Sequence, residues 1–428
     1  MTQQIFLRSL TLNWRRTSGY VLFTGMMATG YYYNVTFIQL GLLDIGGRVL
    51  GMNQVTVARD MGLLAGITSL VALAVGYVML RRGWSRDFSL KLRIASVVVV
   101  VQTLLSAATV LIHDARGFMA WIVAASVALG VGVPVTFGLT ADLIPRRHRG
   151  YIAGLITAIA YFAAPVFSYP WHIEPLRRQM LLLMVPGSLA LGLLAFISNP
   201  LTEHLARQHL RPEFYYGRFV RLDPSGRARA GRSVIGLIVL MFAIFFIDSL
   251  GFVRLTHTPF LIDHAWRSPD LAPRLTIGLV HVVAALAGGI LYAALDDRAL
   301  FLWVLGIFSL VHLSYTFPIR LAPEPSAALA EPMLYAIAVS LYTVLNFALW
   351  ADLSTPRTIT GNAALGVAAS AWSATFISTA LAIQLEGAGV SVELHLRIVD
   401  ALAVLLFLGL LLAAYFGGIR RGSDGARE

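Results

Sequence analysis

Cysteine is absent from the 428 residues. That excludes disulfides, thiolate metal sites and cysteine nucleophiles, and it leaves the redox compartment without a mark on the chain. Charge is scarce as well: 13% of the residues are charged against 57% hydrophobic, with a mean hydropathy of +0.74. A soluble domain carries about a quarter charged residues, so a soluble globular protein is excluded. Lysine occurs once against 32 arginines, a bias that reads as genome composition rather than chemistry. The alternating ten-residue pattern of a membrane β-barrel is missing. So are a catalytic triad, a His-rich metalloprotease helix, a nucleotide loop, an EF-hand loop and a dense acidic cluster, which leaves nothing to indicate an enzyme or a bound cofactor.

What the chain has instead is long apolar runs. Twelve of them reach the length at which a helix crosses a bilayer, roughly 19–43, 58–80, 92–113, 119–140, 151–170, 180–199, 233–255, 274–295, 299–318, 332–351, 362–385 and 399–418. The first 18 residues are polar, with Arg8, Arg15 and Arg16, and the run after them is too long and lacks the exit of a cleavable signal peptide, so it reads as a retained first helix. The longest polar stretch, Pro200 to Arg232, divides the chain. The expected organisation is an all-α integral membrane protein: a six-helix half over 1–199, a basic linker over 200–232, a second six-helix half over 233–418 and a tail over 419–428. With the termini, the even-to-odd loops and the linker on one side, that side holds 23 Lys and Arg and the other holds 10. The positive-inside rule makes it cytoplasmic, both termini included. The net charge of +11 sits in these membrane-flanking loops and does not speak for nucleic acid.

Two polar loops repeat. Ala141-Asp142-Leu143 is followed by Pro145, Arg149 and Gly150. The same order returns 210 residues later as Ala351-Asp352-Leu353, Pro356, Arg357 and Gly361. A loop recurring at half the chain length marks an internal duplication. Twelve spans in two related halves fit the logic of secondary transporters, whose solute binds near the midplane between the halves.

A charge inside a membrane span is costly and therefore a functional candidate. Asp248 is the one carboxylate well inside a run, and it reads as a proton or cation site or as a satisfied helix–helix hydrogen bond. An offset of 214 sets Asn34 opposite it, and Tyr31 shares a helix face with Asn34. Tyr31 divides between cavity and aromatic belt. His281, His312, Tyr342 and Asn346 are further candidates for the cavity wall, with packing as the alternative for each. Arg254, at a span end, reads as a snorkelling side chain. His148 and the linker arginines Arg207, Arg211, Arg218, Arg221, Arg227, Arg229 and Arg232 read as solvated charges. Asp248, Asn34 and the tyrosines offer hard oxygen donors that suit iron or manganese, but no metal follows from their spacing.

The loop at Asp142, Pro145, Arg149 and Gly150 resembles the Asp-x-x-Pro-x-x-x-Arg-Gly signature between the fourth and fifth helices of the major facilitator superfamily. That resemblance implies two pseudo-symmetric six-helix halves, alternating access, and a gate formed by Asp142, Arg149, Arg81 and Asp352. The other signatures are looser. After the second helix Gly76, Arg81 and Gly83 match, but Leu80 stands for the acid and Trp84 for the second arginine. The counterpart after the eighth helix keeps Asp296, Asp297 and Arg298 behind Gly289. The fourth helix has Gly130 and Gly132 with Ser126 in place of a membrane arginine, and the fifth has Ala160, Ala164 and Pro165, which departs from the pattern of multidrug–proton antiporters. The stretch from Gly30 to Gly41 resembles the MamH-type magnetosome-membrane branch, implicated in loading iron for magnetite formation. The resemblance implies a transporter of a small solute or iron, with protons as a coupling ion, in a bacterial inner or magnetosome membrane. A general metabolite or drug exporter, and a transport-inactive scaffold that recruits other membrane proteins, are the alternatives.

Overall fold

The computed structural model describes residues 14–208, 214, 216–222, 228–230, 234–258, 262–295, 297–321 and 329–424. Arg8, Arg211, Arg227, Arg232 and Asp296 lie outside them. Helix α1 begins as Trp14–Tyr32, winds as a π-helix over Tyr33–Ile38, returns to α over Gln39–Asp44 and closes in π turns over Ile45–Val49. Then come α2 (Gln54–Arg82), α3 (Phe88–Ala108), α4 (Ala115–Gly138), α5 (Arg149–Phe167) and α6 (Ile173–Phe196). After the linker follow α7 (Val234–Thr256), α8 (Leu271–Ala294), α9 (Asp297–Leu321) and α10 (Ala330–Asp352). Helix α11 runs from Ile359–Ala363 through a π-helical Ala364–Trp372 to Ser373–Gly387, and α12 is Val392–Asp424. Each expected span falls on one of these helices. Among the described residues, ten are long and apolar enough to cross a membrane by length and composition.

Local chemistry sets the ends. Asn53, Asp87 and Asp114 cap α2, α3 and α4 by accepting from the backbone N–H three residues on, which satisfies donors the first turn leaves open. Gly83 ends α2 with φ 73°, a left-handed turn that a glycine takes without Cβ strain. The linker is not wholly extended: it holds a helix, Pro200–Gln208, and an antiparallel pair of β1 (Val220–Leu222) and β2 (Ala228–Ala230).

The helices turn apolar side chains outward where lipid would lie, Leu182, Val239 and Trp303 among them. Inside, small residues set how closely they pack. A Cβ on Gly150 would meet the Gly289 carbonyl oxygen at 2.8 Å, and one on Gly154 the Ala285 carbonyl oxygen at 2.7 Å, so α5 and α8 cross backbone to backbone. Helices α2 and α11 meet the same way, with Gly76 against Ala364 and the Thr360 carbonyl. Both crossings join the two halves near the face at which α1 begins.

Candidate functional site

Between the halves lies a cavity of about 120 Å³, walled by α1 and α5 from the first and by α7, α8, α10 and α11 from the second. Asp248 reaches it from α7, buried to 7% exposure. The Tyr335 hydroxyl donates to Asp248 Oδ1 at 2.8 Å, and Tyr342 stands beside the same carboxylate. From the first half, Tyr31 and Tyr161 share a hydrogen bond of 2.8 Å between their hydroxyls, and Tyr161 continues to Thr343 Oγ1 at 3.1 Å. His281 stacks on Tyr161 with centroids 4.8 Å apart and bonds Ser340 Oγ through Nδ1 at 2.9 Å. Asn34 lies in the wall, and its buried Oδ1 takes no hydrogen bond among the described residues. An unsatisfied buried acceptor costs about 1–3 kcal/mol.

Tyr31, Asn34, Asp248, His281 and Tyr342 are thus brought to one cavity. Two expected wall residues are not. His312 stands behind Asp248, with Nε2 4.0 Å from Oδ1. Asn346 accepts the Trp350 indole N–H at 2.8 Å, since Trp350 comes one turn later on the same helix and is fully buried. The sequence also passed over Tyr161, Trp266 and Tyr335, because an aromatic in an apolar run carries no polar signal of its own.

The second cluster lies where α5 and α10 meet. Arg149 Nη1 donates to Asp352 Oδ1 at 2.8 Å and to the Ala351 carbonyl at 2.9 Å, with both side chains buried. Tyr292 donates to Asp352 Oδ2 at 2.8 Å. The linker runs across this pair: Phe219 N–H donates to the Asp352 carbonyl and Gly217 N–H to that of Ser354, both at 2.9 Å. Arg149 reaches the Phe214 carbonyl at 3.4 Å, and the Arg218 guanidinium donates to the carbonyls of Tyr292 and Leu295. Arg218 is therefore a docked side chain and not a solvated charge, because fixed carbonyls replace the water it gives up.

Asp142 pairs elsewhere. Lys91, the single lysine, is fully buried and sets its Nζ 2.6 Å from Asp142 Oδ2, with further bonds to the carbonyls of Ser85 and Gly138. Its rarity read as genome composition, yet the one copy holds a buried carboxylate. Its position at the edge of an apolar run was the available signal. His148 is buried too, bonded through Nδ1 to the Tyr20 hydroxyl at 2.5 Å. Arg81 is exposed and bonds only Tyr77 among the described residues, away from both ion pairs. Without the acid that Leu80 replaces, nothing holds it inward. Arg254 does not merely snorkel: it pairs with Glu386 at 2.9 Å.

No protein-family model and no curated protein matches the sequence. In structure the chain is similar to XylE, a proton:xylose symporter of the major facilitator superfamily solved with 6-bromo-6-deoxy-D-glucose bound. The two share 15% identity and a TM-score of 0.64 over 91% of this chain and 94% of that one. This chain has the major facilitator fold. In that fold the cavity sits between the halves, and the Arg149–Asp352 pair bridges them on the face that carries the linker.

Proposed function

We propose that the chain is a secondary transporter that moves a small solute by alternating access, with Asp248 as its charge-bearing site. The observation that carries the reading is a buried carboxylate in a cavity walled by both halves of the fold. A lone membrane carboxylate is retained against a desolvation cost. Here it either pairs with a charged guest or carries a coupling proton. Asn34 lies in the same wall. The Arg149–Asp352 pair, with Tyr292 and the linker segment over it, acts as the gate on one face, and Lys91–Asp142 stiffens the first half beside that gate. Arg81 has no part in it. The excess of Lys and Arg on the linker face makes that face cytoplasmic, in a bacterial inner membrane. The similarity to a proton:xylose symporter supports a small solute and proton coupling.

Iron is the second reading, and a magnetosome membrane goes with it. The likeness of the first helix favours it, but among the described residues no three His, Cys, Asp or Glu come together as metal ligands. Iron uptake into sealed inverted vesicles, with Asp248→Asn as control, tests it directly.

The natural absence of cysteine makes the main test clean. Spin labels on Arg86→Cys and Arg357→Cys report the linker face, and labels on Val55→Cys and Ala388→Cys report the opposite one; all four positions are exposed. Alternating access requires one distance to lengthen as the other shortens under an imposed pH gradient, and Asp248→Asn to suppress that exchange. Distances fixed under every gradient would replace the transporter with the inactive scaffold.

A further inference from the structure

The transport reading leaves the chemistry of the cargo open, and the cavity wall narrows it. Nine of its 21 lining residues are Phe, Tyr or Trp, against 11% for the chain as a whole. Three tryptophans reach it from separate places: Trp171 from the α5–α6 connection, Trp266 from the α7–α8 connection, and Trp372 from the last π turn of α11. Trp266 stands edge-on to both Phe252 and Tyr335, with centroids 5.6 Å apart in each case. Tyr335 is the residue that holds Asp248. Among the described residues no Lys or Arg lines the cavity, and Asp248 is the one wall residue there of fixed charge type, a negative one.

From this we infer that the cavity binds a small organic cation, a quaternary or tertiary ammonium, with its charge set between Asp248 and the rings of Trp266, Trp372 and Tyr335. The inference rests on the transport reading, since it takes the cavity as the solute site. An aromatic ring presents a negative face to a cation, and the attraction grows when the site is dry. A methylated ammonium brings few or no N–H donors that need partners, so a wall of rings costs it little hydrogen bonding. A metal ion is best held by several charged or imidazole ligands, and among the described residues no three His, Cys, Asp or Glu come together. An anion would meet Asp248 with no cation to offset it. A polyol would turn most of its hydroxyls toward carbon.

The test uses the full-length protein reconstituted in sealed liposomes, with choline as probe and 3,3-dimethylbutan-1-ol, its uncharged carbon isostere, as control. Tryptophan fluorescence reads binding, and the two spin-label pairs read the faces. Choline is expected to bind at least tenfold more tightly than the alcohol, and Asp248→Asn to erase most of that gap. Trp266→Leu is expected to weaken choline ~2- to 30-fold, the range for losing one cation–π partner, while Trp266→Phe keeps most of the affinity and shows that the position tolerates change. Equal binding of the two probes, or a preference unmoved by Asp248→Asn, would overturn the cation site. So would absence of choline binding in protein whose faces still exchange under a pH gradient, and transport would then survive without it. Faces that never exchange would remove the transport reading, and this inference with it.

Discussion

The two repeated loops carry the same residues and do opposite work. Asp142 is answered from within its own half, by Lys91 on α3. Asp352 is answered from the other half, by Arg149 on α5, and by the linker strand laid over it. One acid is tied within its half and its repeat ties the two halves; in the proposed transporter the first is a strut and the second a latch. A duplicated motif therefore predicts where an acid sits, while its partner depends on which cation the surrounding helices bring near. On the opposite face the counterparts are more exposed: Arg48, 43% exposed, pairs with Asp44 and Glu174, and these carboxylates hold its guanidinium above the usual arginine range. Exposed pairs of that kind contribute little, and this one lies wholly within the first half, whereas Arg149–Asp352 spans the two.

The sharpest way to break the contrast is Asp352→Ala. It strands Arg149 in the interior and takes acceptors from Tyr292 and the linker, at a cost of about 3–5 kcal/mol to the closed arrangement. The Arg86/Arg357 label distance should lengthen. Lys91→Ala strands Asp142 with a similar cost of about 3–5 kcal/mol, but as a strut: the melting temperature should fall while the label distance holds. A lengthened distance here would make both loops latches. The double change Lys91→Met with Asp142→Leu should recover much of the loss, because apolar side chains of like volume often replace a buried pair.

Smaller effects sharpen it further. A Cβ on Gly217 would run into the Asp352 carbonyl. Gly217→Val should therefore lift the linker at a cost of about 1–3 kcal/mol, read as faster hydrogen exchange at the Phe219 amide. Arg81→Ala should change stability by less than about 0.5 kcal/mol, as surface substitutions do, and leave both distances alone.

The fold was legible because membrane spans announce themselves by length, and the repeat because its acids and arginines stand out in apolar surroundings. The Asp248 cavity was half legible. Asp248 and Asn34 are polar where polarity is costly, but Trp266 and Tyr335 are apolar among apolar residues. A helix that is hydrophobic all round carries no stripe to tell an inward face from a lipid face. The partners of Arg149, Lys91 and Arg218 were not legible at all. Arg149 and Asp352 lie 203 residues apart, and only the packing of glycines at the α5–α8 crossing brings them together. Asn346 and Arg81 show the converse, since the right residue type at a plausible spacing was taken by Trp350 in one case and left to solvent in the other.

The π windings in α1 and α11 have a mechanical consequence. Tyr33–Ile38 and Ala364–Trp372 each flank the cavity, contributing Asn34 and Trp372 to its wall. A π turn carries more residues than the α turn it replaces, so each helix has torsional slack at the level of the cavity. Releasing one residue of it would swing the side chains beyond by about 100°, the angle per residue of an α-helix, with the packed ends hardly displaced. Gln39 and Thr379 tie the two helices by a hydrogen bond of 3.2 Å just past those windings. That bond crosses the boundary between the halves, so a swing of Gln39 in one helix would cost the other its partner.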